Sequence, residues 1–512
     1  MNFEFKECSM ILPLSSVVSQ YIGVGTFITG LILLYFGYVT YGSFVERVLA
    51  PDDRKTPALR LSDGVDYVVL PRWKNMLIQL LNIAGVGPVI GVIAGIKFGS
   101  IVFILIPIGN IIGGAVHDFI SGMASLRNRG CNLPSFIKIT LGDGFYRVFS
   151  IFMSLMLLLV VAVFINVPAH LLDTAITPHD STFWFWVFLI FLYYIIVTMF
   201  PVDKIIGRFY PIFGGVLLVG SVALLFSLLF RCFNDPAILL ESGNFVDLKS
   251  QFLKNHPILP CLFVTIACGI ISGFHATQSP IIARTMKSER EARSSFYGMM
   301  VLEGVIAMIW AGAALVVYNK FLLCSDPSLF WEKNPNDVLP IITEDFLGKG
   351  LGVITVLAVV ILAVTSGDTA MRSLRLSIAE MLNVNQKALK NRFIICLPLI
   401  LVIGILLWWS NLDSASFGKL WNYFAWANQV LAATTLGACC VWLYAQKRSG
   451  WIAVIPCSFM TFIVVSFILW TSEVHKGPAG FGLDLRLSYI LGVIVAIIFT
   501  LWCVVRGKKL EK

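Results

Sequence analysis

The sequence predicts an all-α polytopic membrane protein, and its composition and hydropathy pattern are the reasons. Of the 512 residues, 58% are hydrophobic and 13% are charged, whereas soluble domains carry roughly a quarter charged residues. Apolar stretches long enough to cross a bilayer as helices recur along the whole chain. The formal charge of +9 arises largely from short loops, as membrane topology requires. We therefore expect membrane lipid, and no nucleic acid, as a partner.

About thirteen stretches are predicted to span the membrane. They lie near residues 22–42, 75–96, 98–126, 146–171, 182–200, 209–231, 258–282, 296–319, 351–371, 393–410, 421–445, 451–471 and 487–505. With this number of spans, most of the 38 Lys and Arg residues fall on one side, which should be cytoplasmic. We therefore expect the N-terminus outside and the C-terminus in the cytoplasm.

Two of the spans contain residues that interrupt a helix. The first interruption is Asn82–Pro88 and the second is Gly273–Pro280. Glycine weakens a helix, and proline lacks the N–H group that would bond to the preceding turn. Within a bilayer such a break is tolerated only where protein or a water-filled cavity surrounds it. Paired breaks in two halves of a chain indicate the substrate site of a secondary transporter.

The two breaks also predict an internal repeat. Spans two to six occupy residues 75–231 and spans seven to eleven occupy residues 258–445, and each set begins with a broken helix of opposite direction. This is the five-plus-five inverted repeat of LeuT-like transporters. Residues 1–74 would add one N-terminal helix and a cytoplasmic loop, and residues 446–512 would add two C-terminal helices and a basic tail.

Polar residues at membrane depth are candidates for coupling to an ion, because they are expensive there unless they have a function. These candidates are His117, Asp118, Thr365, Ser366 and Asp368. Thr365 and Ser366 could bind Na⁺, whereas the ionisable residues could carry a proton. Two alternatives remain open: Asp118 could pair with a loop arginine, and the two hydroxyls could bond to their own helix. We expect no cofactor and no metal apart from this possible sodium ion.

The substrate is expected to lie between the two breaks. Half-helices that begin after each break would present N–H groups and a positive dipole end to an anion. His275 could bind the anion or move a proton, although a purely structural histidine remains an alternative. The predicted binding residues, including backbone at the first break, are Asn82, Ala84, Gly85, Gly87, His275, Thr277, Gln278, Asn428 and Gln429.

Five motifs give the chain a family resemblance. The segments 82–88, 113–119, 273–284, 366–375 and 423–429 together resemble the carbon starvation protein A (CstA) family, in the same order along the chain. The resemblance implies a bacterial inner-membrane transporter linked to nutrient limitation. It implies uptake of peptides, or proton-coupled uptake of pyruvate as in close relatives.

The predicted function is secondary active import of pyruvate or small peptides. Few carboxylates lie at membrane depth, namely Asp118, Glu303 and Asp368, and this favours a small carboxylate over a peptide whose amino terminus needs a charged partner. The alternatives are a channel-like or exporting facilitator and a starvation sensor that does not transport. The absence of HExxH, P-loop and GxSxG motifs argues against an enzyme. The sequence indicates no oligomeric state.

Overall fold

The computed structural model describes residues 21–511, except 64–66, 177–181, 200–202, 324–326, 385, 387 and 474–478. Every regular element in this part of the chain is helical, and the predicted all-α class is confirmed. The main helices are α1 Ile22–Leu49, α2 Arg72–Ile83, α3 Gly87–Phe98, α4 Val102–Arg127, α5 Leu133–Leu141, α6 Asp143–Ile176, α7 Phe183–Met199, α8 Asp203–Asn234, α9 Gly243–Asn255, α10 His275–Ala283, α11 Glu289–Leu322, α12 Pro335–Met381, α13 Leu389–Ser410, α14 Ser414–Ala445, α15 Trp451–Trp470 and α16 Leu485–Lys509.

Ten helices of the described part are long and apolar enough to cross a membrane. An eleventh span results if α2 and α3, bent by 54° relative to each other, count as one. Helix α7 has 17 residues, and the stretch before α10 forms three short pieces, Ile258–Leu262, Phe263–Thr265 and Ala267–Ile270. The count of thirteen and the five-plus-five repeat therefore stay predictions.

The long helix α12 is interrupted near its start. Gly348 has a φ of 72°, a conformation that glycine adopts without the steric cost other residues incur. The resulting kink separates the first part of α12 from its apolar remainder. This remainder carries three of the predicted coupling residues: Thr365, Ser366 and Asp368.

The two broken stretches lie side by side in the protein interior. The piece Ala267–Ile270 packs against Gly87–Gly91, and α10 packs against α2 and α4. Glycines allow these close approaches: a Cβ atom at Gly114 of α4 would lie 2.2 Å from the backbone oxygen of Ile270. Helices associate closely in membranes where small residues form the contact. The packing therefore brings both breaks into one region.

The side of the protein that carries most of the Lys and Arg residues, and that is predicted to be cytoplasmic, is called the Lys/Arg-rich face. Ion pairs on this face connect loops to helix ends. Arg127 Nη2 lies 2.9 Å from Glu289 Oε2, and Arg290 Nε lies 2.6 Å from Asp53 Oδ1. The hydrogen bonds from Arg54 hold the pKa of Asp52 below its ordinary value. The Arg290–Asp53 pair fastens the loop after α1 to the beginning of α11, and the Arg127–Glu289 pair fastens the end of α4 to the same point.

The contact at Gly114 provides a test of this packing. We expect Gly114→Ala to destabilise the protein, because its methyl group would force two backbones apart and overpacking costs about 1–3 kcal/mol. The measurement is the melting temperature of the purified protein. The matched control is Gly404→Ala in α13, where nothing lies within 4 Å of the added Cβ. A Gly114→Ala melting temperature equal to that of the control would contradict the packing.

Candidate functional site

The first break is a buried link of three residues between α2 and α3. The backbone N–H of Ala84 donates to Leu80 O (2.8 Å), and that of Gly85 donates to Ile83 O (2.7 Å). A side chain at Gly85 would meet Phe164 at 3.2 Å and Ser366 Oγ at 3.5 Å. The missing Cβ therefore lets this backbone lie directly against α6 and α12.

In the structure the second break comprises residues 271–274, whereas Gly273–Pro280 was predicted, because α10 begins at His275 and accommodates Pro280 within the helix. Two neighbouring amides of α14 hold this break. Asn428 Oδ1 accepts a hydrogen bond from the backbone N–H of Phe274 (2.8 Å), and Asn428 Nδ2 donates to Ser272 Oγ (3.0 Å). Gln429 Nε2 donates to the backbone oxygen of Ile271 (3.1 Å). Unwound backbone at membrane depth needs such partners. Asn428 and Gln429, predicted near the substrate, thus satisfy the backbone of the break.

A cavity of about 280 Å³ collects three of the predicted site residues. Its lining includes Asn82 from the end of α2, Thr277 from α10 and Asp368 from α12. Arg284 and Arg372, from the Lys/Arg-rich face, also line it. Asn82 Oδ1 is buried without a hydrogen-bond partner among the described residues. The cavity lining therefore includes residues next to both breaks and arginines of the Lys/Arg-rich face.

Another predicted binding residue, Gln278, directly follows the lining residue Thr277 in α10 but does not itself line the cavity. Its Nε2 donates to Thr277 Oγ1 (2.9 Å), and its Oε1 is buried with no hydrogen-bond partner in the described part of the chain. Buried amide oxygens are normally hydrogen-bonded. Gln278 thus orients the hydroxyl group of Thr277, which lines the cavity, while its own amide oxygen accepts no hydrogen bond from the described residues.

The two hydroxyls predicted to hold Na⁺ differ in their contacts. Ser366 Oγ donates to the backbone oxygen of Leu81 (3.4 Å), so that it reaches the first broken stretch. Thr365 Oγ1 donates to Leu362 O of its own helix (2.9 Å). Ser366 thus contacts a carbonyl group of the first broken stretch, while Thr365 makes the ordinary intrahelical bond; the sodium site stays a prediction.

Four ionisable side chains form a row across the interior, which we call the buried relay: His117, Asp118, His275 and Glu303. His117 Nδ1 lies 2.8 Å from Asp118 Oδ1, and His275 Nδ1 lies 3.0 Å from Asp118 Oδ2. His275 Nε2 lies 3.6 Å from Glu303 Oε2. All four residues are 0% exposed. The histidines, rather than a loop arginine, are the partners of Asp118.

The relay is built from three elements. His117 and Asp118 are on α4, His275 is the first residue of α10, and Glu303 is on α11. Among the described residues, no three His, Cys, Asp or Glu side chains are arranged to hold a metal ion. The alternation of histidine and carboxylate instead suits proton transfer along hydrogen bonds.

Glu303 is the member of the relay that the sequence analysis did not include among the site residues. The residues next to Glu303 in the sequence form no recognisable motif. The other members of the relay come from α4 and α10, which are distant in the sequence. The available signal was the carboxylate itself, since an acidic residue inside an apolar span is a candidate functional residue by default. Its contact with His275 required the fold.

The amide that holds the second break can be tested directly. We expect Asn428→Ala to leave the buried N–H of Phe274 unpaired, at a cost of about 1–3 kcal/mol, and to speed hydrogen exchange in residues 271–275. The measurement is hydrogen–deuterium exchange with mass spectrometry. Thr434→Ala, on the same helix and bonded only to Val430 O of its own helix, is the control. Equal exchange in the two variants would argue against this role of Asn428.

Comparisons with known proteins agree with this architecture. The family model described as carbon starvation protein CstA matches residues 23–225, 171–346 and 341–466. An uncharacterized membrane protein of Haemophilus influenzae is 39% identical over 334 residues, which cover 56% of this chain and 90% of that protein. The peptide transporter CstA of Bacillus subtilis is 25% identical over 593 residues, covering 94% of this chain and 96% of the relative.

A further relative and a solved structure extend the comparison. The pyruvate/proton symporter BtsT of Escherichia coli is 25% identical over 358 residues, covering 58% of this chain and 48% of that protein. A crystallised manganese transporter of Eremococcus coleocola matches with a TM-score of 0.57 and 14% identity, over 88% of this chain and 99% of that chain. This structural likeness concerns the fold alone. Because the family model matches most of its length, the chain belongs to the carbon starvation protein CstA family.

Proposed function

We propose that this protein is a secondary active transporter that imports a small carboxylate such as pyruvate, or small peptides, under nutrient limitation. The coupling ion is the proton, and transport proceeds by alternating access. The observation that carries the proposal is the buried relay, which passes through His275, the first residue after the second break. A substrate that rearranges this break would therefore also rearrange the relay.

The cavity supports a small anionic substrate. Its volume of about 280 Å³ lies near the lower limit of ligand pockets, which are about 300–1,000 Å³. Arg284 and Arg372 in the lining would attract an anion, and the beginnings of α3 and α10 would contribute positive dipole ends. The names of the Bacillus and Escherichia relatives, a peptide transporter and a pyruvate/proton symporter, support both substrate classes.

The position of the cavity supports a state that is open to the cytoplasm. Its lining includes residues from the Lys/Arg-rich face, which the positive-inside rule assigns to the cytoplasm. In this orientation the N-terminus is outside and the C-terminus is in the cytoplasm of the bacterial inner membrane. Alternating access requires a second state, in which α3 and the pieces before α10 open to the other side.

Uptake into proteoliposomes tests the proposed substrate and coupling ion together. We expect labelled pyruvate to accumulate when a proton gradient is imposed, and a sodium gradient alone to have no effect. Unlabelled di- and tripeptides as competitors would show whether peptides share the site. Sodium-driven uptake would contradict proton coupling and direct mutagenesis to Thr365 and Ser366. Flux that follows only the solute's own gradient would indicate a facilitator, and binding without flux would indicate a sensor.

The central carboxylate of the relay gives a second test. We expect Asp118→Asn to reduce proton-driven accumulation by about tenfold or more, because a positioned proton-transfer group typically contributes about 10²–10⁴-fold. Asp143→Asn is the matched control: its carboxylate is exposed and pairs with Lys138 at the surface, where ion pairs contribute little. Wild-type uptake by Asp118→Asn would remove the relay from the transport mechanism.

A further inference from the structure

We propose that Glu303 is the proton-binding residue of this transporter and exchanges its proton with Asp118 through the imidazole of His275. This inference rests on the proposed proton-coupled transport and adds the site at which the proton is held. It concerns a residue of α11 that lies outside both broken stretches and outside the cavity lining.

The first argument is the environment of the Glu303 carboxyl group. Glu303 is 0% exposed, and neither of its oxygens has a hydrogen-bond partner among the described residues. Ionised carboxylates are rarely buried without a partner, because water no longer stabilises the charge. Protonation removes that charge, so the geometry favours the neutral acid in this conformation.

Asp118 has the opposite environment, although it is equally buried. Its two oxygens lie 2.8 Å and 3.0 Å from the Nδ1 atoms of His117 and His275. Each Nδ1 can carry the hydrogen of a neutral imidazole and donate it to an ionised carboxylate, which only accepts hydrogen bonds. Two donors stabilise the charged form of Asp118. In the proposal Asp118 is therefore ionised, whereas Glu303 is neutral.

The histidine between them provides the path for the proton. With hydrogen on Nδ1, neutral His275 has a lone pair on Nε2, 3.6 Å from Glu303 Oε2. When Nε2 and Oε2 move slightly closer together, the O–H group of Glu303 can transfer its proton to Nε2. At the same time the hydrogen on Nδ1 moves to Asp118 Oδ2. One O–H bond and one N–H bond break, and one of each forms. The products are ionised Glu303, neutral His275 with hydrogen on Nε2, and protonated Asp118.

The place of His275 connects this exchange to the substrate site. It directly follows the backbone that Asn428 holds, and Thr277 on the same helix lines the cavity. A movement of the second break would therefore change the distance between Nε2 and the carboxyl group of Glu303. Among the described residues, the other ionisable groups near this path are His117 on α4 and Cys439 on α14, whose thiol interacts electrostatically with Asp118.

Infrared difference spectroscopy tests the proton site without any substrate. Reconstituted wild-type protein, taken through a pH titration, should show the C=O stretch of a buried protonated carboxyl group. We expect Glu303→Gln to lose this band and Asp118→Asn to retain it. Persistence of the band in Glu303→Gln would overturn the assignment. Glu344→Gln, at an exposed position of α12, is the control for loss of a carboxyl group.

Transport assays then separate proton coupling from a purely structural role. We expect Glu303→Gln to reduce proton-driven accumulation by about tenfold or more, to flatten its pH dependence and to affect substrate counterflow far less. Glu303→Asp should restore part of the accumulation, because the carboxyl group remains. Equal losses of accumulation and counterflow in both variants would overturn the proposal.

If wild-type protein accumulates neither pyruvate nor peptides, the proposed function fails, whereas the infrared result still decides whether Glu303 holds the proton.

Discussion

The fold depends on one constraint: backbone N–H and C=O groups at membrane depth must have partners. Both breaks expose such groups, and side chains from other helices satisfy them. Asn428 and Gln429 bond to the backbone of the second break, and Ser366 bonds to a carbonyl group at the first. These partners come from helices distant in sequence, so each break forms only when the tertiary structure assembles. In the proposed transport cycle this site rearranges, and only a few replaceable hydrogen bonds hold it.

In the proposed mechanism the same arrangement joins solute and proton. His275 begins α10 where the unwound backbone ends, and it contacts a carboxyl group on each side, Asp118 of α4 and Glu303 of α11. The cavity lies along the same helix, at Thr277. A displacement of this one helix end changes both the lining of the cavity and the distances within the relay. Coupling between two ligands requires an element to which both respond, and the second break is that element in this account.

Much of this could be predicted from the sequence, for identifiable reasons. Glycine and proline disfavour a continuous helix, so a break within Asn82–Pro88 and one near Gly273 were predictable from local chemistry. The bounds of the second were not, since the structure extends α10 from His275 through Pro280. Asp118 and His275 were predictable because charge inside an apolar span is costly. Their mutual contact was not, since it depends on how α4 and α10 pack. The role of Asn428 at a distant backbone N–H, and the proximity of Glu303 to His275, likewise require tertiary structure. The separate bonding of Thr365 and Ser366 depends on helix rotation, which adjacent residues cannot reveal.

The central claim is that substrate and proton bind interdependently through the second break. The most direct measurement is the number of protons that purified protein takes up or releases when pyruvate is added in weakly buffered solution. Because linkage is reciprocal, the account predicts proton uptake on binding, and a pyruvate affinity that varies with pH. Replacing His275 with Gln should abolish the proton exchange. Pyruvate binding with no proton exchange, and with an affinity independent of pH, would contradict the account.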